Sequence, residues 1–330
     1  MTRYSILDFA PVLEGSDVSA ALARTADLGA YAESLGYHRY WTAEHHGMPG
    51  IASAAVSIVL AHVGHATSSI RLGAGGIMLP NHAPLAIAEQ FGTLDALFPG
   101  RIDLGLGRAP GSDQRVAQAL RRTLTGGPDQ FPQDVMELQA YFAGDPRLGF
   151  TATPGAGADV ALWILGSSLY GAQLAAALGL PYAFASHFAP DALDQALAIY
   201  RRDFRPSAQL DKPYVMAGYN VVAADTREEA VLIASSMQQT FVKMRTGGAG
   251  GPLPRPIPGY VDSLPPQLKA MLDNVLNASS IGTREDVERD LAAFVDRTGA
   301  DEIVIAAQIH DFEARKRSFA IALEAARVSA

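Results

Sequence analysis

The run Tyr40-Trp41-Thr42-Ala43-Glu44-His45-His46 places a carboxylate and two imidazoles at the end of an aromatic and β-branched stretch that begins at Tyr37. A strand end is where barrel enzymes keep their reacting groups. An imidazole, with an unperturbed pKa of about 6.5, can donate or accept a proton near neutrality. Successive strand residues point to opposite sides, so Glu44, His45 and His46 share a pocket only if the strand is already ending. Two other readings stay open. The three side chains can satisfy loop backbone, or they can form part of a metal site that needs a third ligand from another strand end. Against the metal, His62, His65, His82, His187 and His310 are scattered along the chain and none stands in HExxH spacing.

Three further stretches carry chemistry. Gly73-Ala74-Gly75-Gly76 lies in a strand, where glycine marks a bulge, a tight turn or the close approach of a backbone or ligand. Gly105-Leu106-Gly107-Arg108-Ala109-Pro110-Gly111 imitates a dinucleotide fingerprint, but proline replaces its third glycine, which disfavours a nicotinamide site. Arg108 is then a cation at a strand end, suited to a phosphate or a ring carbonyl. Gly166-Ser167-Ser168-Leu169-Tyr170-Gly171 sits between a strand and a helix, and its hydroxyls and free amides suit either a phosphate or simple capping. No GxSxG elbow supports a serine hydrolase.

Short apolar runs alternate with helical periods along the chain, the pattern of repeated βα units. Strands are expected at Ser5–Pro11, His38–His45, Ile70–Leu79, Arg101–Gly107, Val160–Gly166, Tyr182–Ser186, Tyr214–Ala223 and Glu302–Ala307. Helices are expected between them, with Ser53 and Thr226 as N-caps and Gly36 as a stop. Two of the helices, Arg115–Leu124 and Asp134–Phe142, fall between the fourth and fifth strands. Residues 246–266 interrupt the rhythm with glycines and six prolines, and read as a disordered insertion or a mobile lid. Eight strands in one domain over residues 1–330 point to a (β/α)8 TIM barrel with an insertion after strand 7; a doubly wound open sheet is the alternative.

At 330 residues and 48% hydrophobic, the chain can bury a large core without staples. It has no cysteine, so disulfides and thiolate chemistry are excluded, in keeping with a cytoplasmic location. The first residues run directly into a strand pattern, so no secretory signal is expected, and no apolar run reaches the roughly 20 residues of a membrane span. A net charge of −8 argues against nucleic acid or anionic membrane as partners.

Together these segments resemble the bacterial luciferase-like flavin monooxygenase family, and the resemblance covers nearly the whole chain. Trp41-Thr42-Ala43-Glu44-His45-His46 is similar to the family's second-strand motif, with His45 on the position of its catalytic histidine. Leu72-Gly73-Ala74-Gly75-Gly76-Ile77-Met78-Leu79-Pro80 with His82-Ala83-Pro84 resembles the third-strand segment that holds a non-proline cis peptide under the flavin; the match puts it between Gly75 and Gly76. The segment Phe98 to Arg108 resembles the fourth strand, where the arginine contacts the flavin and its phosphate, and Leu165 to Gly171 lies where the family binds the FMN phosphate. Residues 246–280 occupy the place of its mobile active-site loop. Tyr200 to Ser207 is also typical of single-component-like bacterial members.

The resemblance implies an FMN-dependent monooxygenase in which reduced FMN reacts with O2 to give a C4a-peroxide that oxygenates a small organic substrate. His45 would be catalytic, and Glu44, Gly75, Gly76, Arg108, Ser167, Ser168, Tyr170 and Gly171 would bind the cofactor. With no nicotinamide fingerprint, the reduced flavin is expected from a separate reductase, acting transiently, and the family's habit implies a homodimer. Gly107 stands where the light-emitting subunit has a reactive cysteine, which argues against luminescence and a long-chain aldehyde; Gly166 stands where luciferase has an acidic residue. A deazaflavin-dependent hydride-transfer enzyme, a non-catalytic flavin-binding paralogue and a metal-dependent barrel hydrolase are the alternatives.

Overall fold

A computed structural model describes residues 2–328 except 110–115, 117–118, 121–129 and 249. The strands are β1 (Arg3–Asp8), β2 (Arg39–Thr42), β3 (Arg71–Met78), β4 (Ile102–Gly107), β5 (Ala161–Gly166), β6 (Tyr182–Phe184), β7 (Val215–Ala223), β8 (Ser279–Gly282) and β9 (Glu302–Ala306). Their helices are α1 (Val18–Leu35), α2 (Val56–His65), α3 (Pro84–Leu97), α4 (Phe131–Ala143), α5 (Leu169–Leu178), α6 (Leu193–Asp203), α7 (Arg227–Arg245), α8 (Pro266–Val275), α9 (Arg284–Thr298) and α10 (Phe312–Val328). Every strand pairing is parallel, and the order β1-β2-β3-β4-β5-β6-β7-β9 returns to β1. The sheet is therefore a closed (β/α)8 barrel and not an open doubly wound sheet. No helix among the described residues is long and apolar enough to cross a membrane.

Local chemistry accounts for most element ends. Asp17 accepts from the Ala20 amide to start α1, and Gly36, at φ 92°, ends it in the left-handed region that glycine adopts freely. Thr226 accepts from the Glu229 amide at the start of α7, and Thr283 with Asp286 forms a capping box on α9. Ser53 does not cap α2. Its hydroxyl donates 2.6 Å to the Ala43 carbonyl, tying the loop before α2 to the end of β2.

The insertion after β7 carries structure of its own. Between α8 and α9, Ser279–Gly282 forms β8. Nine-residue β7 outruns its neighbours: its first half pairs with β9, and Asn220–Ala223 pairs with β8. Residues 250–258 are also held by the barrel loops. Leu253 donates to the Val12 carbonyl and accepts from the Glu14 amide, and the Ile257 amide donates to Ser235 Oγ on α7. The helix expected at Arg115–Leu124 lies almost wholly outside the described residues.

The barrel interior has a charged base and an aromatic middle. Arg39 donates from Nε to Glu302 (3.0 Å) and from Nη1 to Asp103 (2.6 Å), and Arg71 donates 2.7 Å to the other Asp103 oxygen. Ser5 and Tyr214 also donate to Glu302. Burial opposes the Arg39 charge, but Glu302 and Asp103 more than offset that, so its pKa lies above the ordinary guanidinium value. Above it, Leu7, Trp41, Trp163, Met216 and Val304 meet, with the two indoles edge to face at 5.2 Å.

Removing one partner of a buried ion cluster leaves its carboxylates exposed to the low-dielectric interior. Arg39→Met is expected to cost about 3–5 kcal/mol in urea unfolding, and a loss under about 1 kcal/mol would mean the cluster is solvated.

Candidate active site

The floor of the barrel mouth is set by Trp41. A methyl group on Gly73 would sit 2.2 Å from Trp41 Nε1, and one on Gly75 would sit 2.9 Å from its Cε3 and 3.0 Å from Leu7. On Gly76 it would meet the Gly105 carbonyl oxygen at 2.5 Å, and on Gly105 the Ala74 carbonyl at 2.4 Å. These glycines thus answer to the indole and to the approach of β3 and β4, the backbone half of the choice the sequence left open. The Gly75–Gly76 peptide is cis, as the family match implies, and the register between β3 and β4 shifts there. Its neighbour across the site is Glu44, whose amide donates 3.2 Å to the Gly76 carbonyl.

β2 ends at Thr42, so Glu44, His45 and His46 do lie beyond the strand and need not alternate. They still part company. Glu44 is 1% exposed and turns away from open space. Its Oε1 accepts from His46 Nε2 (2.6 Å) and His82 Nε2 (2.8 Å), and its Oε2 accepts from the Met78 amide (3.0 Å). Burial pushes the Glu44 pKa up, but the bonds from His82, Met78 and His46 outweigh it and hold the carboxyl below its ordinary range. Glu44 therefore braces the ends of β2 and β3. His82, which looked scattered in sequence, is brought into this cluster, and the three donor atoms lie within 4.8 Å of one another, close enough in principle for a metal.

His45 goes the other way. Its Nδ1 is enclosed without a hydrogen-bond partner among the described residues, and burial, the dominant cause, lowers its pKa. Phe9, just past β1, stands edge-on to it at 5.9 Å, and the same Phe9 ring lies 6.0 Å from His187 at the end of β6. Ala10 follows at φ 46°, a left-handed turn rare for residues with a Cβ, and its amide donates to Asp8. His187 is 7% exposed, and burial, with a smaller push from His45, lowers its pKa to about 4.

At the β4 and β5 ends, the Arg108 guanidinium stacks 4.3 Å over the Tyr170 ring at the start of α5. Ser168 is the N-cap residue of α5 but its side chain makes no capping bond, so the first-turn amides keep their outward N–H groups. Nothing lies within 4 Å of the Cβ position of Gly166. Gly171 instead faces the Tyr182 ring, where a Cβ would stand at 3.3 Å. Arg108, Ser167, Ser168 and Tyr170 thus follow the ends of β4 and β5, and His45 follows the end of β2 beside the Gly75–Gly76 segment of β3, while the Glu44 carboxylate and the Cα of Gly171 face protein. Sequence reading passed over Phe9 and left His187 among the scattered histidines; the available signal was Gly218, a glycine inside the apolar run of β7.

Polar and titratable groups that converge at the C-terminal ends of parallel barrel strands define a TIM-barrel enzyme site. The family model of luciferase-like monooxygenases matches residues 2–302. A luciferase-like monooxygenase of Escherichia coli (strain K12) is 52% identical, with 97% of this chain and 96% of that protein covered. An N-acetyl-S-alkylcysteine monooxygenase of Bacillus subtilis (strain 168) is 30% identical, with 98% of each covered. The solved structure of apo-MsnO8 is 32% identical, with 99% of each chain covered and a TM-score of 0.88. More distant structures share the fold: the oxygenating constituent of 3,6-diketocamphane monooxygenase in complex with FMN (16% identical, TM-score 0.71, 97% of this chain and 96% of that one) and an F420-dependent secondary alcohol dehydrogenase (12% identical, TM-score 0.68, 98% of each). The chain belongs to the luciferase-like monooxygenase family.

Two expectations follow. His187 binds a proton more weakly folded than unfolded, so its contribution to stability is intact above about pH 6.5 and falls as pH drops towards 4. Between pH 7.5 and pH 5, wild type should lose roughly 2 kcal/mol more than His187→Gln in urea unfolding; equal losses would mean that His187 titrates normally. Glu44, His46 and His82 already satisfy one another, so elemental analysis of protein purified without chelator should find no stoichiometric transition metal.

Proposed function

We propose that the protein is a non-luminescent FMN-dependent monooxygenase that takes reduced flavin from a separate reductase and transfers one oxygen atom from O2 to a small organic substrate. The observation that carries this is the cation–aromatic pair Arg108–Tyr170 beside the uncapped start of α5. The residues fit the cofactor. A helix N-terminus with free amides, an available hydroxyl and a guanidinium make a site for a phosphate dianion, and Gly166 offers no side chain in its way. Arg108, Ser167, Ser168, Tyr170 and the amide of Gly171 would hold the FMN phosphate, and the Gly75–Gly76 segment would underlie the ring.

When bound and reduced, FMN supplies the electrons that activate O2. The chain supplies placement, dryness and a proton. Neutral His45 would accept or donate that proton at the substrate side, beside the apolar edge of Phe9, and Glu44 would keep the β2 and β3 ends in register through His46, His82 and the Met78 amide. The 246–280 segment would cover the mouth and exclude water. The absence of a dinucleotide fingerprint supports a separate reductase; assembly as a homodimer and a cytoplasmic location complete the reading. The rival reading, hydride transfer with a deazaflavin, draws on the F420-dependent fold neighbours.

A charge-assisted bond to phosphate is worth about 1.5–3 kcal/mol, so Arg108→Gln should weaken FMN binding by roughly 10- to 100-fold and leave riboflavin, which lacks the phosphate, almost unchanged. Equilibrium fluorescence titration measures both. Equal effects on the two ligands, or tight binding of the deazaflavin cofactor and none of FMN, would refute the assignment.

A further inference from the structure

We infer that His187 is a substrate-recognition residue, presenting a neutral Nε2–H donor to an uncharged acceptor oxygen such as the carbonyl of a ketone, ester or amide. The inference rests on the monooxygenase reading for its setting and deepens it by naming the group that the substrate side of the mouth takes.

The ring is fixed from two sides. Ser186 Oγ donates 2.6 Å to the Gly218 carbonyl and Asn220 Nδ2 donates 2.7 Å to the His187 carbonyl, which joins the end of β6 to β7 on either side of the imidazole. The ring itself lies in a slot made by Gly218: a Cβ there would be 2.1 Å from His187 Nδ1. Nδ1 is therefore closed off against β7, and it has no hydrogen-bond partner. Among the described residues Nε2 also makes no hydrogen bond, but it is not among the enclosed polar atoms, so it is the nitrogen a ligand can reach. This is the nitrogen on the side away from Gly218.

That asymmetry selects the tautomer. A buried N–H without an acceptor is rarer and costlier than a buried lone pair without a donor. The proton therefore resides on Nε2, and the closed Nδ1 keeps the lone pair. With burial holding the imidazole neutral, the reachable end is an uncharged donor, on a ring close to Phe9, which also contacts His45. Such an end matches a neutral acceptor set in an apolar frame. It offers an ammonium group no acceptor. It gives a carboxylate no counter-charge, because the imidazole itself is neutral. The substrate oxygen would then meet His187 Nε2, with Phe9 beside it.

The test uses flavin-free full-length protein labelled with 15N-histidine, so it stands apart from the FMN assignment, which the riboflavin comparison examines. The probes are N,N-dimethylacetamide, acetate and ethylammonium. At pH 7.5 the His187 signals should be those of an Nε2–H tautomer, and dimethylacetamide should shift Nε2 saturably at least fivefold more tightly than either ion. His187→Gln, which retains a donor, should bind the amide within about threefold of wild type, His187→Phe should abolish saturation, and Gly218→Ala, which displaces the ring, should weaken it. An Nδ1–H tautomer, no saturable shift in wild type, or acetate or ethylammonium binding as tightly as the amide overturns the proposal. If FMN binds as expected while the amide does not, this inference fails alone.

Discussion

The Trp41 indole at the centre of the barrel is the constraint on which the site depends. It occupies the space where side chains of β3 and β4 would otherwise stand, and Gly73 and Gly75 are glycines because their Cβ atoms would fall 2.2 and 2.9 Å from it. A barrel interior is packed, not hollow, so one oversized side chain must be matched by small ones opposite. With glycine at Gly73, Gly75, Gly76 and Gly105, the third and fourth strand backbones close up at Gly76 and Gly105. The floor of the mouth becomes a surface of peptide groups, with Trp163 and Met216 completing the layer beneath.

Charge is distributed vertically around that layer. Arg39, Arg71, Asp103 and Glu302 neutralise one another at the base, at the N-terminal ends of their strands, while a second buried pair, Asp8 with Arg315, ties β1 to α10 on the outside and leaves Asp8 to orient Ala10 and Tyr40. At the mouth the arrangement is polarised. Arg108 and the α5 terminus carry positive potential on one edge, and two imidazoles that burial keeps neutral, His45 and His187, stand about Phe9 on the other. One edge is cationic and the other is uncharged and aromatic. Glu44 touches neither edge with its carboxylate, yet it sets the relation of β2 to β3 through three hydrogen bonds.

Much of this was legible in the sequence because it is written in local patterns. Strand and helix order follow from apolar periodicity, and Gly36, Pro84 and Thr226 mark element ends by backbone chemistry that acts within a few residues. His45 and the cis bond at Gly75–Gly76 came from a family motif and not from periodicity. What escaped reading depends on contacts distant in sequence. Ser53 resembles an N-cap, but a carbonyl at Ala43 competes for its hydroxyl. β8 is four residues with a single large apolar side chain, Ile281, and exists because β7 outruns its barrel partners. His82 and His187 are lone histidines in sequence, and only closure of the barrel brings one to Glu44 and the other to Phe9.

The central claim is that this chain directs an oxygen atom from O2 into an organic molecule with the help of His45. The most direct measurement loads the protein with reduced FMN under anaerobic conditions, mixes it with 18O2 and a panel of ketones, amides and thioethers, and follows the label by mass spectrometry. The account predicts one labelled oxygen atom in a product for each O2 consumed, and loss of that product in His45→Ala protein that still binds FMN. Recovery of all the consumed O2 as hydrogen peroxide, at the rate of free reduced FMN and across the whole panel, would contradict it.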